Sequence, residues 1–147
     1  MANITEKSIL PGSLEARWEQ CLDPANLMDG FAAFYGFYYD SLPISFKDVS
    51  ELNFEISRWM IGQEWKLAVD VREDIHQIIL TQLYGPFKRW RYIIKLEKHD
   101  EEQSLIVESL SYKMKFSILG GLIDDLFLKA DLREQIRSRQ DSLLTKI

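Results

Sequence analysis

Cysteine occurs once in the 147 residues, as Cys21, so no intramolecular disulfide can form. Neither a CxxC pair nor a Cys–His zinc spacing is present, which excludes a disulfide-stapled secreted scaffold and the common zinc modules. Histidine occurs twice, at His76 and His99, with no third ligand at metal spacing. Both read as solvated surface side chains, and neither a metal nor a cofactor is expected. The four prolines are scattered at positions 11, 24, 43 and 86, and no Pro/Gly/Ser linker, repeat or low-complexity stretch divides the chain. Residues 1–147 therefore read as one domain. The longest uncharged apolar stretch, Phe31 to Tyr39, is far short of the ~18 residues of a membrane span, so no integral membrane association is expected. The opening MANITEKSIL lacks a basic region followed by an apolar core, and a cytoplasmic location is the expectation. Cations are outnumbered, 18 Lys and Arg against 23 Asp and Glu, for a net charge of −5. That balance argues against a general nucleic-acid or anionic-membrane binder, although net charge does not exclude a local basic patch.

What the chain does have is strand chemistry. Residues 3–10 can form a first strand that Pro11-Gly12 ends. Ser13 is then placed to cap a short helix, Leu14 to Leu22, with Glu15 in its first turn, and Asp23-Pro24 stops that helix and opens a second near residues 25–30. From Ala32 to Met114 the pattern has period two. Trp65, Leu67, Val69 and Val71 alternate with Lys66, Ala68, Asp70 and Arg72, and Trp90, Tyr92, Ile94 and Leu96 alternate with Arg91, Ile93, Lys95 and Glu97. The polar turn His99-Asp100-Glu101-Glu102 separates the last two strands of an antiparallel meander. Helical spacing returns at the end, where Leu119, Leu122, Ile123, Leu126, Ala130, Ile136, Leu143 and Leu144 fall approximately on one stripe of a long helix, Leu119 to about Lys146. The fold class is α+β. A single helix laid on a twisted sheet covers only part of its concave face, which leaves a gap between the two.

Four segments occur in an order and spacing that resemble the bacterial SRPBCC ligand-binding family. They are Gly85-Pro86-Phe87-Lys88-Arg89-Trp90, Glu108-x-Leu110-x-Tyr112, Leu119-Gly120-x-Leu122-x-Asp124-x-Leu126-Phe127 and Ile136-x-x-Arg139. This is the helix-grip superfamily that also holds START lipid-binding domains, birch-pollen-allergen-like proteins and polyketide cyclases/dehydrases. The match is most specific from about residue 62 onward; the first sixty residues agree in element order more than in motif. The resemblance implies a six- or seven-stranded antiparallel sheet wrapped around the long C-terminal helix, with two short helices after the first strand. It also implies a mostly apolar pocket for a small hydrophobic ligand. Related chains often carry Asp-x-Gln before the Gly-Pro turn and Trp-x-His-x-His after it. Here the positions are Leu80-x-Gln82 and Trp90-x-Tyr92-x-Ile94, so a catalytic role for those groups does not transfer and the pocket is greasier.

The expected pocket residues are Trp65, Gln82, Trp90, Tyr92, Glu108, Leu110 and Tyr112 from strands, with Leu122 and Leu126 from the helix. Tyr84 is a further candidate for the wall. Glu108 shares strand parity with Ile106, Leu110, Tyr112 and Met114, so its carboxylate must be paired, hydrogen-bonded or neutralised. Either it anchors a ligand's hydroxyl or carbonyl, or it is an internal partner of Arg58, Tyr112 or Gln82. Cys21 beside Leu22 reads as buried packing. In the run Phe87 to Tyr92 cations and aromatics interleave as on nucleic-acid surfaces; strict alternation puts Lys88, Trp90 and Tyr92 on one side and Arg89 and Arg91 on the other, which breaks the patch. Gly120-Gly121 lacks the rest of a phosphate-binding fingerprint and reads as a tight turn before the helix.

Three function classes follow. The first is a non-catalytic binder of a lipid, isoprenoid or polyketide-like molecule, whose affinity comes from apolar burial at about 25 cal/mol per Å². The second is a polyketide cyclase/dehydrase-like enzyme in which Glu108, Tyr112 or Gln82 polarises a carbonyl or moves a proton. The third is a protein-interaction module using the long helix or a sheet edge. The replacements at Leu80, Tyr92 and Ile94 favour the first, with a small hydrophobic ligand as the expected partner and no nucleic acid.

Overall fold

The computed structural model describes residues 2–31, 37–38, 42–56, 63–114 and 121–144. Strand β1 (Ala2–Pro11) is followed by helices α1 (Leu14–Cys21) and α2 (Pro24–Phe31), then by strands β2 (Phe37–Tyr38), β3 (Glu51–Ile56), β4 (Gln63–Arg72), β5 (Gln77–Tyr84), β6 (Phe87–Lys98) and β7 (Gln103–Met114), and by helix α3 (Gly121–Leu144). The strands form one antiparallel sheet in the order β1-β7-β6-β5-β4-β3-β2. Strands β2 to β7 are a meander, and β1 closes on β7 by a long-range pairing, Ala2 opposite Tyr112 through Pro11 opposite Gln103. The α+β class, the antiparallel sheet, the two early helices and the long terminal helix agree with the sequence reading. Arg58 and Leu119 lie outside the described residues.

Local chemistry accounts for the early helices. The Ser13 hydroxyl accepts from the Ala16 N–H at 3.2 Å and caps α1. One carboxylate oxygen of Asp23 accepts from the Ala25 N–H at 2.9 Å, and Pro24 occupies the first position of α2, where a missing N–H leaves no bond unmade. Gly12 has a φ of +107°, and the Arg17 side chain packs against it. Arg17 is itself buried and donates to the carbonyls of Pro11 at 2.6 Å and Leu143 at 2.7 Å. It thereby satisfies one of the orphan carbonyls at the C-terminal end of α3 with a positive charge.

Two bulges change which side chains face inward. Between β4 and β5 the register passes from Leu67 opposite Gln82 to Lys66 opposite Tyr84, which leaves Leu83 as an extra residue. Tyr84 therefore points with Lys66 to the outer face and is 56% exposed, so it does not line an inner wall. Between β6 and β7 the register passes from Phe87 opposite Met114 to Arg89 opposite Lys113, leaving Lys88 as the extra residue. Phe87 and Trp90 consequently both face inward although one is odd and the other even. Lys88 is exposed together with Arg89 and Arg91, contrary to strict alternation.

Two further expectations are corrected. His76 is not fully solvated: it is half-buried with its ring edge-on to Trp18 at 5.3 Å, on a backbone with φ 51°. His99 is exposed, as expected. On α3, Ala130 and Leu144 are exposed, and the buried stripe is Leu132, Ile136, Arg139 and Leu143. Its spacing of four, three and four residues is a helical face, with a charged residue in its middle.

The β5–β6 hairpin is held from within by Gln82, whose amide donates to the Phe87 carbonyl at 2.7 Å and accepts from the Phe87 N–H at 3.2 Å. Gly85 fits beside it only because it has no side chain. A Cβ there would lie 2.5 Å from Trp65 and 2.6 Å from the Gln82 amide oxygen. Gly85→Ala is therefore expected to cost about 1–3 kcal/mol, the range for overpacking, measured by urea unfolding. An unchanged midpoint would mean that Trp65 and Gln82 shift without resistance.

Candidate functional site

The inner face of the sheet divides into an aromatic half and a charged half. The aromatic half begins with Phe54 and Trp65 on adjacent strands, ring centroids 5.3 Å apart. Trp65 then meets Trp90 at 5.0 Å in an edge-on arrangement and Phe87 at 5.9 Å. Trp90 stacks on Tyr92 at 5.7 Å, and Phe87 meets Tyr112 at 5.9 Å. These are the separations and tilts at which aromatic pairs attract beyond their buried area. Trp65, Trp90, Tyr92, Leu110 and Tyr112 are all buried on this face, at the inward positions that period two predicts.

The charged half lies where β1, β7 and α3 meet. Glu108 and Arg139 are both fully buried and form an ion pair through Oε1 and Nη1. The other Glu108 oxygen accepts from the Gln140 amide at 2.9 Å, and that same amide donates to the Glu6 carbonyl at 3.2 Å. Glu6 stands directly opposite Glu108 in the β1–β7 register. Two like charges so placed repel, and α3 answers the second as well: Arg133 and Arg137 bridge the Glu6 carboxylate at 3.2 and 3.3 Å. Glu108 is thus internally paired, with Arg139 and Gln140 as its partners from α3; Arg58 lies outside the described residues. Gln82, half-buried, has its amide engaged by the hairpin backbone. Leu122 and Leu126 fall within α3, but their side chains lie outside the described residues.

Two more groups surround the pair. Burial raises the Tyr92 phenol well above its ordinary range, and the negative charge of Glu108 adds to that. Burial also pushes the Cys21 thiol up, partly opposed by Arg139. For the Arg139 guanidinium burial acts in the other direction, yet Glu108, Tyr92 and Cys21 together hold it above its usual value. Cys21 is packing, as expected, but packing against a charge. Sequence reading missed Arg139 as the partner, although its place in the Leu132, Ile136, Leu143 stripe is a readable signal.

No family model matches the chain, and no curated protein matches it. Solved structures do. An aromatase/cyclase from a Streptomyces species superimposes with a TM-score of 0.76 at 11% identity, over 99% of this chain and 92% of that one. A START superfamily protein from Mycobacterium smegmatis superimposes with a TM-score of 0.70 at 12% identity, over 99% of this chain and 96% of the other. The chain has the helix-grip fold of START-like proteins. A Thermus thermophilus protein shares this helix-grip architecture, with a TM-score of 0.74 at 14% identity over 97% of this chain and 94% of that one. At such identities the likeness is one of fold, and it agrees with the resemblance carried by the sequence segments. Among the described residues no helix is long and apolar enough to cross a membrane.

The raised acids of the charged half predict an alkaline weakness of the helix-grip core. The thiol and the phenol hold their protons longer in the native chain than in the unfolded one. Their contribution is complete below the ordinary values of 9.0 and 10.0 and is lost as pH rises past them, at up to about 1.4 kcal/mol per pH unit for each group. Urea unfolding across this range should show stability falling from about pH 9 upward, with a flatter profile for Tyr92→Phe. Parallel profiles for the two proteins would contradict this reading of Tyr92.

Proposed function

We propose that residues 1–147 form one cytoplasmic domain that shelters a small hydrophobic molecule, of the lipid, isoprenoid or polyketide class, between the sheet and α3, and releases it unchanged. The observation that carries the reading is the continuous inner wall Trp65, Trp90, Tyr92 and Tyr112, beside a carboxylate whose two oxygens are already engaged by α3. Aromatic and aliphatic surface supplies binding energy by leaving water. A carboxylate whose two oxygens are engaged by Arg139 and Gln140 is committed to holding α3 on the sheet. Leu110 belongs to the same wall, and Leu122 and Leu126 are its proposed helical counterparts. Gln82 serves it indirectly, by fixing the hairpin that carries Trp90.

The cyclase/dehydrase-like reading has one observation in its favour, the likeness in fold to an aromatase/cyclase. Against it stand the apolar Leu80 and Ile94, both fully buried. The interaction-module reading has no comparable support on the inner face.

Titration with a fatty acid, an isoprenoid alcohol and an aromatic polyketide, followed by tryptophan fluorescence and by mass spectrometry in the same tubes, separates these readings. Saturable quenching by one class with its mass unchanged is expected, and Trp90→Phe should weaken binding by about 1 kcal/mol through lost apolar contact. Multiple-turnover product formation that disappears in Glu108→Gln would replace the binder with the enzyme. Folded protein that binds none of the three classes would overturn the proposal.

A further inference from the structure

The outer face of the hairpin end carries a cluster of cations that the interior does not use. Because Lys88 is the extra residue of the β6 bulge, Lys88, Arg89 and Arg91 are all exposed within four residues. Lys113 stands directly opposite Arg89 on β7 and is exposed too. None of the four forms an ion pair among the described residues, whereas Lys47, Lys66, Arg72, Lys95 and Lys98 are each matched to a carboxylate. In a chain of net charge −5, four unmatched cations in one place are a local reversal of sign.

The surroundings give this patch a direction. Leu83, the extra residue of the β5 bulge, is 53% exposed, and Tyr84 beside it is 56% exposed. An aliphatic side chain and a phenol therefore stand at the tip of the same hairpin as the cations. In an antiparallel meander alternate turns fall at opposite ends, so the acidic turns Glu73-Asp74 and Asp100-Glu101-Glu102 lie at the far end of the sheet. Among the described residues of β5, β6 and β7, unpaired cations thus gather at the hairpin end and acidic turns at the other. Toward β3 the patch is bounded by Glu55 and Glu64, which oppose each other on the outer face and limit its footprint to β6, β7 and the hairpin.

We propose that the β5–β6 hairpin and the adjoining outer face of β6 and β7 dock on an anionic lipid surface, with Lys88, Arg89, Arg91 and Lys113 against the headgroups and Leu83 and Tyr84 in the interfacial layer. Charge complementarity draws in the cationic end while the acidic end is repelled, so the field orients the chain before contact. The two apolar tips decide between partners. A bilayer interface offers anionic groups and an apolar layer side by side, and phenol rings favour that boundary. A phosphodiester backbone offers Leu83 nothing. The inference stands whether or not the chain carries a lipophilic ligand, since none of these side chains belongs to the inner wall.

Flotation of the full chain with phosphatidylcholine vesicles, with and without phosphatidylserine, is the direct test. Binding is expected only with phosphatidylserine and should weaken as salt is added. At roughly fivefold per cation, Arg89→Gln with Arg91→Gln should lower partitioning about 25-fold while circular dichroism stays unchanged. Leu83→Ser should weaken binding at every salt concentration, and Arg72→Gln, at the opposite end, should leave it unaltered. Equal binding to both vesicles, no binding to either, or insensitivity to the paired arginine substitutions would overturn the proposal. So would tighter binding to a single-stranded oligonucleotide or an acidic peptide that the same substitutions abolish.

Discussion

A carboxylate and a guanidinium, both out of reach of water, hold each other between β7 and α3, and the arrangement of the inner face depends on that pair. Neither charge is tolerable there alone, because removing one leaves the other desolvated and uncompensated. The pair therefore fixes where α3 lies along the sheet and which of its faces turns inward. Leu132, Ile136 and Leu143 complete the same buried stripe, but apolar contacts tolerate sliding far better than an ion pair does. Gln140, spanning Glu108 and the Glu6 backbone, and Arg17, holding the Leu143 carbonyl, fix the last turns of the helix further.

This placement divides labour across the concave face. The half beneath the last turns of α3 is spent on charge compensation between β1, β7 and the helix. The other half, where β4, β5 and β6 come together, holds aromatic rings and, among the described residues, no ionisable group except the tyrosines. The bulges at Leu83 and Lys88 mark the boundary between inside and outside at that end, since each turns what would be an inward side chain outward. The same two irregularities that build the aromatic wall thereby put an apolar tip and a third cation on the outer surface. Inner wall and outer patch are two results of one local geometry.

Period-two patterning made the strands legible because one face of each is apolar and the other polar over many residues; the burial along β6 and β7 follows it almost throughout. The early helices were legible from Ser13 and from Asp23-Pro24. Bulges were not, because Leu83 and Lys88 are ordinary strand residues whose extra place in the ladder depends on the partner strand. Tyr84 was misplaced for that reason alone. Glu108 is recognisable as an inward carboxylate, but strand parity points only to partners on other strands. Arg139 comes from a helix whose position is a long-range fact of packing, and only the spacing of Leu132, Ile136 and Leu143 hinted that it faces the sheet. His76 read as a surface residue because nothing in its neighbourhood along the chain announces Trp18.

The most direct measurement is a double-mutant cycle on the buried pair, with stability and ligand binding read on each protein. Glu108→Leu and Arg139→Met should each cost about 3–5 kcal/mol, whereas the double variant, with two apolar side chains in place of two charges, should recover most of that loss. It should also bind the hydrophobic ligand about as well as the native chain, since the charge belongs to the fold. Additive losses would show that the two residues do not depend on each other, and a stable double variant that no longer binds would make Glu108 a ligand anchor after all.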